Sequence, residues 1–305
     1  MSEHMRDDVE RTPDDLRAVL ALRFEDLPKL SSYRFILTTG SGSSHHVAHY
    51  ASLLFTHELN IATVSHPGRL AAWADGADLA VVVSMSGGKD SHSIARALGC
   101  EILAVTCEEN SPLADLADYL LLLPTEREEG FLNTRTIVSA MFALCAYASE
   151  LSNEDLVDPD VPDRVERHLK RGVPEDIILE MRNREKVFFI GDKYLYVAAE
   201  QAALKSIEVG DANAFATTSD ELFHGRFFGD HSERLYLCLN EKGADLIEER
   251  SGGETTVVRP DDLGLDVDPD DPNAPVETLP TLYLLVDEAY GPVDTTEARS
   301  WWNHV

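Results

Sequence analysis

With 55 Asp and Glu against 26 Lys and Arg in 305 residues, the chain carries a formal net charge of −29. That balance argues against a nucleic-acid backbone or an anionic membrane surface as partner, because either would be repelled. A 44% apolar share beside 27% charged residues describes a chain that folds, at a length that allows two modest domains.

The acidity is spread over the whole chain, and only seven of the basic residues are lysines. Such a surface resembles that of haloarchaeal proteins, whose salt screens self-repulsion within about 3 Å at about 1 M. The alternative is an ordinary acidic protein with solvated faces. Cys100, Cys107, Cys145 and Cys238 form no CxxC pair and show no metal-type spacing with His, so they are expected as reduced core residues, with no metal or cofactor. The charged N-terminus has no signal-peptide core and the apolar runs are strand-length, so a soluble, cytoplasmic protein is expected.

Residues 1–30 form a charged helical lead-in with Leu16, Val19, Leu20, Leu22 and Leu27 spaced for one apolar face. Apolar runs at 34–39, 61–65, 79–84, 102–106 and 119–123 then alternate with helical patterns, which predicts an α/β domain over 31–152 with a parallel sheet, closed by a helix at 133–151. Residues 153–182 are expected as a linker and helix, the stretch to Pro174 being rich in Asp and Pro. A second domain, 183–305, offers strands at 187–190, 214–216, 235–239, 255–258 and 282–286, with an exposed acidic loop at 261–280. The two series match as a weak internal repeat: the run ending at Gly40 opens a helix reaching Glu58, and the run ending at Gly191 opens one reaching Glu208. The expected fold is therefore two similar three-layer α-β-α units, each on a five-stranded parallel sheet.

Ligands of open parallel sheets bind at the carboxyl ends of the strands. In the first copy those loops read Gly40-Ser-Gly-Ser43-Ser44 and Ser84-Met-Ser86-Gly-Gly-Lys89-Asp-Ser91. Both combine glycines with hydroxyls at a helix N-terminus, where backbone donors and the helix dipole favour an anion. Converging, they could cradle one phosphate through Ser43, Ser44, Ser84, Ser86, Ser91 and Lys89, although capping alone would explain any single serine and Lys89 could simply be solvated. The second copy lacks this chemistry. It carries instead Lys205 and Glu208, and Glu221 and His224, each pair on one helix face, where plain structural pairs are the alternative. A carboxylate, an ammonium and an imidazole at a phosphosugar supply what an aldose–ketose isomerase needs: a base for the C1–C2 proton, donors for the oxyanion and an acid to open the ring.

These residues resemble the sugar isomerase (SIS) domain family in tandem, as in the isomerase half of glucosamine-6-phosphate synthase, over about 31–305. Ser84-Met-Ser86-Gly resembles the start of the family's phosphate motif, with Lys89 where a threonine is usual. Ala203-Leu-Lys205 through Glu208 resembles its catalytic run, and Glu221-Leu-Phe-His224-Gly225 its Glu-x-x-His-Gly motif, which is also similar to that of fructosamine-6-phosphate deglycases. The resemblance implies Glu208 as the proton-transfer base, Lys205 as a sugar contact and His224 as the ring-opening group supplied by a neighbouring subunit, hence a homodimer with shared sites. It implies a sugar lining of Gly40, Glu221 and, within the stretch Gly130-Phe131-Leu-Asn-Thr134-Arg135 that resembles a family segment, Phe131 and Thr134. Arg226 replaces the usual proline, the tail around Arg299 and Trp301-Trp302 lacks the family's lysine, and no glutaminase domain is expected. The expected function is isomerisation, deamination or deglycation of a hexose or aminohexose 6-phosphate; the alternative is a non-catalytic phosphosugar sensor.

Overall fold

The computed structural model describes residues 2–73, 76–126, 128, 132–227, 231–251 and 255–291. It divides into two compact units: a first unit of Thr12–Arg127 with Arg135–Pro162, and a second of Met1–Arg11, Glu128–Thr134 and Asp163–Val305.

The charged lead-in folds as two helices, α1 (Ser2–Glu10) and α2 (Thr12–Val19), with Pro13 in the first turn of α2, where its missing N–H costs nothing. Leu16 and Val19 are buried and Leu20 is exposed, so the expected apolar face stops at the helix end.

The first unit then runs β1 (Ile36–Gly40), α3 (Ser43–His57), β2 (Thr63–Pro67), β3 (Leu79–Val83), α4 (Lys89–Leu98), β4 (Glu101–Thr106), α5 (Pro112–Leu116), β5 (Tyr119–Leu122) and α6 (Arg135–Leu151). Its five strands are parallel in the order β2-β1-β3-β4-β5, and every residue of β1 and β3 is buried because helices cover both faces. Strand alternation sorts the faces: Leu37, Ala80, Val82 and Ala104 pack with Ile94 and Ala95 of α4 and Leu113 of α5, while Thr38 donates its hydroxyl to the Ala48 carbonyl of α3 at 2.7 Å.

Two helices, α7 (Val161–Arg171) and α8 (Glu175–Asn183), occupy most of the stretch expected as linker. The second unit continues with β6 (Lys186–Ile190), α9 (Tyr194–Gly210), β7 (Ala214–Thr217), the single turn α10 (Ser219–Glu221), β8 (Arg234–Cys238), α11 (Glu241–Ser251), β9 (Thr256–Val258) and α12 (Ala274–Tyr290). Its sheet is again parallel, ordered β7-β6-β8-β9.

The fifth strand expected at 282–286 is absent. Those residues lie inside α12, so the sheet has four strands among the described residues, and the loop expected over 261–280 ends in the buried first half of that helix. Fifteen of the 17 residues of α12 are buried, including Pro280. A helix buried on all sides shows no polar stripe, and within it a short apolar run reads like a core strand.

The β1–α3 and β6–α9 junctions share a backbone detail. A Cβ added to Gly40 would lie 2.5 Å from the Ser44 carbonyl carbon, and one added to Gly191 would lie 2.3 Å from the Leu195 carbonyl oxygen, so each helix closes against its strand only over a glycine. Two residues on, Gly42 has φ 55, ψ −129 and Lys193 has φ 52, ψ −123. For a lysine that region is strained by about 1–3 kcal/mol. Lys193→Gly is therefore expected to raise the unfolding free energy by about 1 kcal/mol, even with its exposed ion pair to Asp270 lost. Urea denaturation checks this, and a lower midpoint would contradict it.

Candidate active site

The carboxyl edge of the first sheet carries the two hydroxyl loops. Ser43 and Ser44 are buried at the start of α3, whose N-cap Gly42 offers no side-chain cap. The loop after β3 turns its carbonyls inward: Ser84 O accepts from Gly87 N, Met85 O from Cys107 N and the Thr106 hydroxyl, and Gly87 O from Leu113 N. Gly88 caps α4 without a side chain, so the first-turn N–H groups of α4 remain for solvent or a ligand. Ser84 is half-buried, Ser86 and Lys89 are exposed, and the buried Ser91 donates its hydroxyl to the Gly88 carbonyl at 2.8 Å. Ser91 thus braces the turn with its proton and keeps only lone pairs in reserve.

Gly87 fixes this geometry. Its φ is +56°, and an added Cβ would lie 2.0 Å from Ser111 Oγ and 2.5 Å from Ser111 Cβ. Ser111 is the N-cap of α5, accepting from Ala114 N at 3.3 Å and donating to Glu108 O at 2.9 Å. Arg69 approaches the same helix start, 3.9 Å from Asp90 with both side chains exposed. Arg69 sits in no sequence motif.

The second unit holds the Lys205–Glu208 and Glu221–His224 pairs. Lys205 is 1% exposed on α9 and its Nζ donates to Glu208 Oε2 at 2.6 Å, while the Glu208 side chain keeps 32% of its surface open. Glu128, which sequence reasoning missed, is 6% exposed and accepts from Thr134 three times: from its N–H at 2.8 Å to each carboxylate oxygen and from its hydroxyl at 2.7 Å. The available signal was an acidic run just after the last strand of the first sheet. Tyr283 of α12 is buried, and that burial, with the charges of Glu128 and Glu208 adding to it, pushes its phenol well above the usual range.

Thr218 caps α10 by accepting Glu221 N at 3.2 Å, and the chain then makes one wide turn closed by Phe227 N to Leu222 O at 2.9 Å. Gly225, at φ 145°, permits that turn, and the Arg226 guanidinium donates to the Ala216 carbonyl. Glu221 and His224 are both exposed and do not hydrogen-bond each other. Asp192 holds the position corresponding to Ser41 and accepts from Ser219 N at 2.9 Å, the Ser219 hydroxyl at 2.7 Å and Asn240 Nδ2 at 3.0 Å. A fixed carboxylate therefore takes up the donors at this edge. Phe131, Arg299 and the tryptophan pair lie outside the described residues.

Cys145 and Cys238 are buried, Cys100 and Cys107 half-buried, and all four are free. No helix among the described residues is long and apolar enough to cross a membrane.

Residues 29–150 match the SIS domain family. The chain is 24% identical over 263 residues to a glutamine–fructose-6-phosphate aminotransferase (isomerizing) of Sulfurisphaera tokodaii, covering 82% of this chain and 42% of that protein. To its counterpart from Pyrococcus horikoshii it is 23% identical over 276 residues, covering 83% and 44%. The chain thus spans less than half the length of these relatives. Among solved structures, the C-terminal domain of glucosamine-fructose-6-phosphate aminotransferase from Francisella tularensis superposes with a TM-score of 0.79 at 18% identity, covering 94% of this chain and 95% of that one. Glucosamine-6-phosphate deaminase from Thermotoga maritima superposes at 0.72 and 23% identity, covering 94% of each. The SIS match covers the unit with the hydroxyl loops, and the fold is shared with proteins named for sugar-phosphate chemistry.

Proposed function

We propose that the chain binds a hexose or aminohexose 6-phosphate and moves a proton between C1 and C2 through an enediol, as an isomerase or as a deaminase or deglycase built on the same step. The observation that carries this reading is the Lys205–Glu208 pair, a buried ammonium against a partly open carboxylate. Glu208 is the base, Lys205 a contact for the sugar oxygens, and the hydroxyls of Ser43, Ser44, Ser84 and Ser86, with Lys89, hold the phosphate, while Ser91 braces the turn through the Gly88 carbonyl. Gly40, Phe131, Thr134 and Glu221 line the sugar. His224 opens the ring; being exposed and without a hydrogen bond, it suits a side chain that serves the neighbouring copy of a homodimer.

Calorimetric titration with fructose 6-phosphate, glucosamine 6-phosphate and a fructosamine 6-phosphate, paired with product analysis, tests the reading. Ser86→Ala is expected to weaken binding about tenfold, the worth of one hydrogen bond to a charged group, while turnover of bound ligand changes less. The opposite pattern would remove Ser86 from the phosphate site. Binding without turnover across the panel would favour a sensor.

A further inference from the structure

β2 ends at Pro67, and the chain turns at once into a short 3-10 helix, Gly68–Trp73. This segment is tied to the first hydroxyl loop: the Thr39 hydroxyl, near the end of β1, donates to the Gly68 carbonyl at 3.4 Å, and a Cβ added to Gly68 would lie 3.1 Å from Ser41 Oγ. It also packs against α4, the helix that follows the second hydroxyl loop. Arg69 therefore stands between the two loops, with its Nη2 3.9 Å from Oδ1 of Asp90, in the first turn of α4 beside Lys89.

The Arg69–Asp90 pair is weak. Arg69 keeps 83% and Asp90 69% of its side-chain surface open, 3.9 Å is beyond hydrogen-bond reach, and an exposed pair screened by water contributes little. A phosphate monoester offers a guanidinium more: a charge of about −2 at neutral pH, and oxygens spaced for two parallel N–H···O bonds. Asp90 also repels an anion arriving at the uncapped start of α4 unless a cation stays close.

We propose that Arg69 is a phosphate-binding residue: Asp90 holds its guanidinium beside the hydroxyl loops, and the phosphate of an incoming sugar takes Asp90's place on it. The inference rests on the phosphosugar reading of those loops. It gives a chain of net charge −29 a second local cation, besides Lys89, with which to receive a dianion. The signal was hidden in the sequence because Arg69 lies 20 residues before Lys89 and reaches the loops only through the fold.

Calorimetric titration of inorganic phosphate, fructose 6-phosphate and glucosamine 6-phosphate into the parent protein, Arg69→Ala, Arg69→Lys and Asp90→Asn at one ionic strength tests the proposal, with thermal unfolding of each variant alongside. Arg69→Ala is expected to weaken all the ligands the parent binds by about tenfold, and Arg69→Lys by less, since it keeps the charge and loses the fork. Asp90→Asn should tighten them a few-fold, because the competing carboxylate is gone, and all three thermal midpoints should stay near the parent's. An Arg69→Ala affinity within about twofold of the parent's would overturn the assignment. So would an Asp90→Asn variant that loses as much affinity as Arg69→Ala, which would mark the pair as a brace for the loops. A parent protein that binds none of the ligands would overturn the phosphate reading of the hydroxyl loops, and the role of Arg69 with it.

Discussion

Glu208→Gln is expected to lower the rate of C1–C2 proton transfer by about 10²–10⁴-fold, the usual worth of a positioned general base, with phosphosugar affinity changed only a few-fold. The substitution keeps shape and hydrogen-bonding reach and removes only the charge. It leaves the buried Lys205 ammonium facing a neutral amide, so some stability is lost as well: about 3 kcal/mol is the scale for a buried cation deprived of its partner, and the partly open Glu208 site brings the cost below that. Thermal unfolding of the variant in parallel separates the two effects. A protein that stays folded at the assay temperature and binds the sugar, yet moves no proton, is the predicted phenotype.

The second large effect concerns the loop after β3, the proposed phosphate cradle. Gly87→Ala is expected to destabilise the first unit by about 2–4 kcal/mol and to abolish phosphosugar binding, because the new methyl meets both a left-handed backbone and the Ser111 side chain. The 2.5 Å approach to Ser111 Cβ survives every rotamer of that serine, so side-chain rotation gives no relief. The double variant Gly87→Ala, Ser111→Gly removes the clash at the cost of a few tenths of a kcal/mol in capping, and it should recover most of the stability and part of the binding. A single variant as stable as the parent would show that the loop is not held as described.

Much of the first unit was legible in the sequence. Its strands are short apolar runs ended by turn residues, and all five appear within two residues of the expected starts. The hydroxyl loops follow β1 and β3 directly, where Gly-Ser runs at the ends of apolar stretches predict turns. The second unit was read less well where burial erased periodicity. α12 is apolar on every side, and so a stretch of helix passed for a strand, hiding Tyr283 inside a supposed sheet. Glu128 was missed because its role depends on Thr134, six residues on, folding back to donate to it, a contact no spacing rule anticipates. Lys205 and Glu208 were found because three residues of helix place them on one face whatever surrounds them.

The central claim is that Glu208 moves a carbon-bound proton of a phosphorylated hexose. It is tested most directly by incubating the purified protein and its Glu208→Gln variant in D₂O, at molar KCl, with fructose 6-phosphate and glucosamine 6-phosphate, and following the C1 and C2 protons by NMR. Exchange or conversion is expected with the parent protein, and none above background with the variant. Exchange that persists undiminished in Glu208→Gln, or a sugar that binds the parent protein with its C1 and C2 protons untouched, would contradict it.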